Sequence, residues 1–247
     1  MSTIGTVESV WRYPVKSMRG EELLEIFTGF AGVYGDRICA FHSPARRKGL
    51  PYLTAREQRR MLTFRPRFRD PEKAAAPPNL TDAEKLGATP VYADRMELDL
   101  DIETPDGRIL AIDDPALLEM LRDGIDAPPH RTLLRSDRAL TDARPVSLIG
   151  LASIKQLADE TGIAVDKRRF RANLYLDLTS GEGFAEDRLV GRSLRVGPKA
   201  TLAIVDRDSR CMIITLDPET GERAPALLKT VAQKHEGRAG VYAVVLV

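Results

Sequence analysis

The stretch Asp208-Ser209-Arg210-Cys211-Met212-Ile213-Ile214-Thr215-Leu216-Asp217-Pro218-Glu219-Thr220-Gly221 sets a cysteine between apolar runs and ends in a D-P-x-T-G turn. Residues 202–205 predict a strand before it, and residues 213–216 predict the next strand. Cys211 is therefore placed near a strand end, where a loop can present its thiol to a pocket. The adjacent Arg210 favours the thiolate, which is the form that acts as nucleophile or metal ligand. A lone cysteine is more often a small buried hydrophobe, so the rest of the chain must decide.

Composition indicates an ordinary globular protein. The chain has 247 residues, 43% hydrophobic and 30% charged, which suits one large domain or two small ones. The net charge of +1 does not indicate nucleic acid or an anionic membrane as partner. Only Cys39 and Cys211 carry thiols, and neither a signal peptide nor a membrane-spanning run is visible, so we expect a cytoplasmic protein.

Strand patterns dominate the chain, and helical patterns are few and short. We predict a mainly β (α+β) protein with β-barrel character and peripheral helices. The predicted strands are residues 4–13, 21–28, 38–42, 96–104, 108–112, 145–149, 174–177, 193–197, 201–205, 213–216 and 241–247. The predicted helices are residues 81–86, 116–124, 153–161 and 225–235, and Thr54 with Glu57 has the capping-box spacing of a further short helix.

Five segments upstream of Cys211 bring cations or hydrogen-bonding side chains to predicted strand ends. Taken alone, residues 13–20 are typical of a solvated basic turn, residues 53–57 of a surface helix start, and residues 167–171 of a solvated basic face. The five segments are Tyr13-Pro14-Val15-Lys16-Ser17-Met18-Arg19-Gly20, Gly32-Val33-Tyr34-Gly35-Asp36-Arg37, Leu53-Thr54-Ala55-Arg56-Glu57, Pro145-Val146-Ser147-Leu148-Ile149-Gly150-Leu151-Ala152-Ser153 and Arg169-Phe170-Arg171-Ala172-Asn173.

Together with residues 208–221, and in this order, these segments resemble the MOSC family, the molybdenum-cofactor sulfurase C-terminal domains. That group includes the mitochondrial amidoxime-reducing component and related bacterial reductases. The resemblance implies a β-rich N-terminal module at residues 1–120 and a MOSC β-barrel domain at residues 121–247.

The resemblance also implies a site for the molybdenum cofactor, Mo-molybdopterin. Cys211 is then the catalytic residue and the protein's ligand to molybdenum. Arg56 is a secondary candidate for binding the cofactor. Gly150 stands where the family commonly has serine or threonine, which implies one cofactor hydrogen bond fewer. The residues implied to bind the cofactor are Lys16, Ser17, Arg37, Arg171, Asn173, Ser209 and Arg210. Of these, Lys16, Arg37 and Arg171 come from distant stretches, as expected of a clamp on the pterin phosphate.

The implied activity is reduction of N-oxygenated (N-hydroxylated) small-molecule substrates. This chain lacks the extra cysteines of relatives with a fused ferredoxin, so we expect separate electron-transfer proteins: a ferredoxin, a flavodoxin, or a cytochrome-type carrier with its reductase. Neither nucleic acid nor a membrane is expected as a partner. Two alternatives stay open: a sulfur carrier with a Cys211 persulfide, and a non-catalytic cofactor-binding module.

Other chemistry-bearing residues predict no competing site. His42, His130 and His235 lack zinc-ligand spacing. No G-x-S-x-G elbow, P-loop or dinucleotide fingerprint occurs in the sequence. Cys39 lies within a predicted strand, where we expect a core residue rather than a ligand.

Overall fold

The computed structural model describes residues 2–43, 51–124 and 132–246. Within these ranges the chain is β-rich with four α-helices, so the predicted mainly β (α+β) class is confirmed. A basic loop predicted at residues 46–49 and a chain break predicted at residues 127–129 lie outside the described ranges. No helix in the described part of the chain is long and apolar enough to cross a membrane.

The strands are short except for three, which run for eight to ten residues. They are β1 (Gly5–Arg12), β2 (Glu21–Leu23), β3 (Thr28–Gly29), β4 (Gly32–Val33), β5 (Cys39–Phe41), β6 (Arg65–Phe68), β7 (Leu100–Glu103), β8 (Ile109–Ala111), β9 (Leu133–Arg135), β10 (Val146–Gly150), β11 (Leu174–Leu178), β12 (Ser193–Val196), β13 (Ala200–Ser209) and β14 (Arg238–Val245). The α-helices are α1 (Leu80–Leu86), α2 (Pro115–Arg122), α3 (Leu151–Thr161) and α4 (Pro225–Lys234). Short 3₁₀ helices span Arg59–Thr63, Lys167–Phe170, Ala185–Leu189 and Met212–Thr215.

The chain divides into two compact units whose segments alternate along the sequence. The first unit comprises Met1–Trp11, Glu22–Gly32 and Ala143–Val247. The second unit comprises Arg12–Glu21 and Val33–Asp142. The domain boundary that we predict between residues 120 and 121 stays a prediction.

A curled seven-stranded sheet forms the framework of the first unit, with the order β12-β13-β14-β10-β11-β1-β2. β10 and β11 are parallel, whereas β11 pairs with β1 and β10 pairs with β14 in antiparallel fashion. Alternate apolar side chains of four strands bury one face. This core comprises Val146, Leu148, Leu174, Leu176, Leu202, Ile204, Val241 and Ala243.

Helix α3 follows β10 directly and ends at Thr161, the last residue of the helix predicted there. Ile154 and Leu157 lie on its buried face, one turn apart. Gly162 ends the helix in the left-handed conformation, with φ of 69°. A residue without Cβ adopts this conformation at low cost, which explains the sharp end.

The second unit contains the antiparallel sheet β6-β7-β8 and the antiparallel pair β5-β9. Asp114 caps α2 by accepting a hydrogen bond from the backbone N–H of Ala116, and Pro115 occupies the first turn, where its missing N–H needs no partner. Cys39 lies in β5 and is fully buried, so its predicted place in the core is confirmed.

Two predicted elements do not form, and the strands predicted at residues 21–28 and 96–104 are cut short, since β2 ends at Leu23 and β7 begins at Leu100. Residues 213–216 do not form a strand: Met212–Thr215 is a 3₁₀ helix, in which the hydroxyl of Thr215 donates to the carbonyl of Met212. The β-branched residues there reflect burial of Ile214 and Thr215 rather than strand pairing. The short helix predicted from the capping box does not form either. The Thr54 N–H does donate to Glu57 Oε2 at 3.2 Å, but the chain makes only a turn there.

Candidate functional site

Cys211 lies between β13 and the 3₁₀ helix Met212–Thr215. β13 extends to Ser209, further than the sequence predicts, so Cys211 follows the strand end by two residues. Its backbone is extended, with φ of −119° and ψ of −178°, and the residue is partly exposed. Cys39 differs sharply, because burial raises the pKa of its thiol to about 12. Cys211 is therefore the cysteine with access to solvent and to a ligand.

The guanidinium of Arg210 is bound on several sides by the protein. Its Nε donates to the carbonyl of Ala239 at 2.6 Å, and Nη1 donates to the carbonyl of Phe170 at 2.9 Å. Nη2 lies 2.9 Å from a carboxylate oxygen of Asp208, and both side chains are buried. Arg210 thus joins the end of β13 to two other segments. Its contact with a cofactor stays a prediction, as does that of Ser209, which is exposed at the last position of β13.

The arginine run before β11 is not the solvated face that a basic run usually forms. Asp166 caps the 3₁₀ helix Lys167–Phe170 through the Arg168 N–H. Arg169 and Arg171 are each only 8% exposed. Arg171 ends the helix in the left-handed conformation, with φ of 52°, which is unusual for a residue with Cβ.

Asn173 holds three strands together. Its Oδ1 accepts from the Ser147 N–H and its Nδ2 donates to the carbonyl of Trp11, both at 3.2 Å. Its backbone N–H donates to the Ser147 carbonyl, and its carbonyl accepts from the Trp11 N–H. Asn173 is 1% exposed, so its carboxamide links β1 and β10 to β11.

Gly150 faces a buried carboxylate. The hydroxyl of Ser153 lies 2.7 Å from both oxygens of Glu186, and the Gly150 N–H donates to Glu186 Oε1 at 3.2 Å. A Cβ on Gly150 would come within 2.8 Å of Glu186 Oε2. The fully buried Glu186 therefore occupies the space that a side chain at position 150 would need. This explains why glycine stands there instead of the serine or threonine of the family pattern.

In the second unit, the loop after β1 is anchored to β5. The backbone N–H of Lys16 donates to the carbonyl of Cys39 at 2.8 Å. The Lys16 ammonium donates to the carbonyl of Leu140 and to Asp142 Oδ1, each at 2.6 Å. Ser17 follows with a left-handed φ of 66° and is buried. These contacts fix the ammonium of Lys16, although its chain position lies in a loop.

Arg37 is held by its neighbours in the same unit. Its guanidinium pairs with the fully buried carboxylate of Asp36 and lies 4.7 Å from the ring centroid of Tyr13. Asp36 in turn accepts from the Tyr13 N–H at 2.8 Å. The G-x-x-G-D-R segment therefore positions a cation through its own aspartate and the preceding motif.

Three cations act on one carboxylate, Asp142. Lys16 contacts it at 2.6 Å and Arg56 at 3.4 Å. Burial works against ionisation of Asp142, but the positive charges of Lys16, Arg56 and Arg37 outweigh it and hold the pKa below its ordinary value. We call Lys16, Arg37, Arg56 and Asp142 the anion cluster, because its cations already stabilise a negative charge.

Sequence reasoning missed three residues of these surroundings: Asp142, Glu186 and Arg169. Asp142 lies 126 positions from Lys16, and Glu186 lies 36 positions from Gly150. A local pattern does not encode such pairs. The signal for Glu186 was the departure at Gly150, because a missing side chain in a motif indicates that another group fills its space.

Over the described ranges, no group of three or more His, Cys, Asp or Glu side chains could hold a metal ion by itself.

A comparison with protein families decides the relationship of this part of the chain. Residues 135–247 match the sequence model of the MOSC domain. These residues are a MOSC domain. The matched range includes Arg171, Asn173, Ser209, Arg210 and Cys211, so all the site candidates of the first unit lie in the MOSC domain, and the predicted family resemblance is confirmed there.

Similar curated proteins also concern the molybdenum cofactor. The molybdenum cofactor sulfurase of Drosophila mojavensis is 37% identical over 98 residues, and that of Drosophila ananassae is 31% identical over 97 residues. Each match covers 38% of this chain but only 12% of the relative. Among solved structures, the YUAD protein of Bacillus subtilis aligns over 99% of this chain and 88% of its own, with 10% identity and a TM-score of 0.46. The MOSC domain and the two sulfurase matches support a role connected with the molybdenum cofactor.

Proposed function

We propose that this protein is a molybdenum-cofactor-dependent oxidoreductase that reduces N-hydroxylated small molecules. The observation that carries the proposal is the position of Cys211: a partly exposed thiol just beyond a strand end, inside a MOSC domain. The other cysteine is buried and holds its proton firmly, so it does not compete for a metal.

The residues present fit this cofactor. A single thiolate is a soft ligand, which suits molybdenum, and the remaining donor atoms belong to the pterin dithiolene. Asp142 shows that the cations of the anion cluster stabilise a carboxylate, and a phosphate is an anion of the same kind. Both parts of the chain therefore offer the chemistry that a phosphorylated, thiolate-bound cofactor requires.

Each residue then has a limited task. Cys211 supplies one thiolate, and Arg171 and Ser209 supply hydrogen bonds and charge to the pterin. That Lys16, Arg37 and Arg171 act together on the pterin phosphate is part of this proposal. When bound, the cofactor supplies the two-electron redox chemistry.

The overall reaction consumes two electrons and two protons for each N–O bond that is cleaved, and it releases water. We propose that the electrons come from separate electron-transfer proteins, such as a ferredoxin, a flavodoxin or a cytochrome with its reductase. The same proposal takes the two protons from solvent.

The test is metal and pterin analysis of protein made in a host that synthesises the cofactor, together with turnover of an N-hydroxylated amidine by an artificial electron donor. We expect about one molybdenum per chain, as one ligating cysteine implies. Cys211→Ser should fold but lose the metal, because a hydroxyl is a poor substitute for a soft thiolate. Cys39→Ser is the matched control and should retain it. Full activity with bound molybdenum in Cys211→Ser would refute the assignment.

A sulfur carrier is the second candidate, and the names of the two sulfurase relatives favour it. In that case Cys211 would carry a persulfide, and the protein would need no molybdenum. Sulfane sulfur on Cys211 in protein that contains no metal, together with no turnover of the amidine, would support the carrier. A bound cofactor without turnover would instead support a binding module.

A further inference from the structure

The segment that carries Cys211 is tied down on both sides of the cysteine. Arg210, immediately before it, donates from Nη1 to the carbonyl of Phe170 at 2.9 Å. After it, the carbonyl of Thr215 accepts a hydrogen bond from Arg169 Nη1, also at 2.9 Å. Arg169 and Phe170 belong to one 3₁₀ helix, so a single short element holds both ends of the Cys211 segment.

The downstream contact is strong for two reasons. Arg169 is 8% exposed, and its Nη2 lies 3.0 Å from Asp217 Oδ2, which makes the contact charge-assisted and largely removed from water. The other oxygen of Asp217 accepts from the N–H groups of Glu219 and Thr220, at 2.9 and 3.1 Å. Asp217 thus stabilises the D-P-x-T-G turn with one oxygen and forms an ion pair with Arg169 through the other.

We propose that Arg169 is a positioning residue for Cys211: with Asp217 it fixes the downstream end of the cysteine segment, while Arg210 fixes the upstream end. A metal ligand is useful only if its direction is set by surrounding contacts, and a partly exposed cysteine beside a 3₁₀ helix lacks that rigidity by itself. We call Arg169, Phe170, Arg210, Thr215 and Asp217 the cysteine clamp. Its role in metal binding rests on the proposed function, whereas its mechanical effect on Cys211 does not.

The two arginines of the R-F-R-A-N segment, Arg169 and Arg171, differ in where they lie. The side chain of Arg169 reaches the cysteine segment, and Arg171 adopts the left-handed conformation at the end of the same 3₁₀ helix. A change at Arg169 therefore acts on the orientation of Cys211 rather than through a direct contact with a ligand.

The experiment measures alkylation of each cysteine by iodoacetamide in the metal-free protein, with mass spectrometry of the separate peptides. In Arg169→Gln we expect Cys211 to react about tenfold faster, because loss of a charged hydrogen-bond partner favours local opening by about that factor. Cys39 is the internal control and should stay slow, since it is buried in β5. Arg169→Lys keeps the charge but loses the two-pronged contact, so it should restore part of the protection.

Two further variants sharpen the test. Asp217→Asn keeps the acceptor that closes the turn but removes the charge, so Cys211 should react faster by a smaller factor. In the double variant of Arg169→Gln and Asp217→Asn, the rate should equal that of Arg169→Gln alone. Arg188→Gln removes an exposed arginine whose pair with Glu182 is also in the first unit, and it should change nothing.

An unchanged Cys211 rate in Arg169→Gln would overturn the proposal. So would equal acceleration at Cys39, which would mean that Arg169 acts on the whole fold. Independent effects of Arg169→Gln and Asp217→Asn would also overturn it. Because no metal is present in this assay, these outcomes are separate from failure of the proposed oxidoreductase function.

Discussion

The substitution Asn173→Ala tests whether Asn173 stabilises the fold of the apo-protein, apart from the cofactor contact that the family resemblance implies. The alanine removes both side-chain hydrogen bonds, one from the Ser147 N–H and one to the Trp11 carbonyl. Each buried backbone group left without that partner costs about 1–3 kcal/mol. Both contacts are 3.2 Å long, at the weak end of the range, so we expect the apo-protein to lose about 2–4 kcal/mol of unfolding free energy.

The assay is unfolding of the metal-free protein in urea, followed by fluorescence of Trp11, the single tryptophan of the chain. Trp11 lies in β1 and is bonded directly to Asn173, so its signal reports on the strands concerned. A loss of this size corresponds to a fall in melting temperature of about 4–16 °C for a protein of this length. Ser209→Ala, at an exposed position of the same sheet, is the matched control and should leave the midpoint unchanged. If Asn173→Ala also leaves it unchanged while cofactor content falls, the structural reasoning is refuted.

Three further predictions follow from the site. Arg171→Ala should lower cofactor occupancy by about tenfold to a hundredfold, with a smaller effect on the apo-protein melt, and Arg171→Lys should recover only part; unchanged pterin content in the alanine variant would contradict this. Gly150→Ser should destabilise the apo-protein by about 1–3 kcal/mol in thermal unfolding, because the added Cβ meets the buried Glu186 at 2.8 Å; a neutral result would show that Glu186 moves aside. Asp142 has a lowered folded-state pKa, so its contribution to stability should be present above about pH 4 and be lost as the pH falls through the folded value. Asp142→Asn should flatten this part of the stability curve, measured by urea unfolding between about pH 2 and 6, and an unaltered curve would remove Asp142 as its cause.

The sequence predicted what depends on neighbouring residues. The mainly β class and the helices predicted at residues 116–124 and 153–161 follow from periodicity, and all are present, with helix ends within two residues of the prediction. Residues 213–216 show the limit of this reasoning, because a β-branched run satisfies a strand pattern and a buried 3₁₀ turn equally well. Only a partner strand decides between them, and partners are a property of the folded chain.

The site divides in the same way. Cys211 and the motif arginines were predictable because their residue types and order carry the signal. The contacts of those side chains were not predictable from the sequence. Arg210 binds Asp208 and the carbonyl of Phe170, and Lys16 binds Asp142. The residues next to Arg210 and Lys16 in sequence therefore did not reveal the partners of their side chains.

The pairing of β1 with β11 has a consequence for synthesis on the ribosome. Gly5 pairs with Leu178, which follows it by 173 positions. At about 5–20 residues per second, on the order of ten seconds or more pass between the synthesis of β1 and that of β11. All residues of the second unit are made in that interval, since that unit ends at Asp142. β1 therefore has its neighbour β2 available early in translation, but its other partner, β11, is made only after the whole second unit.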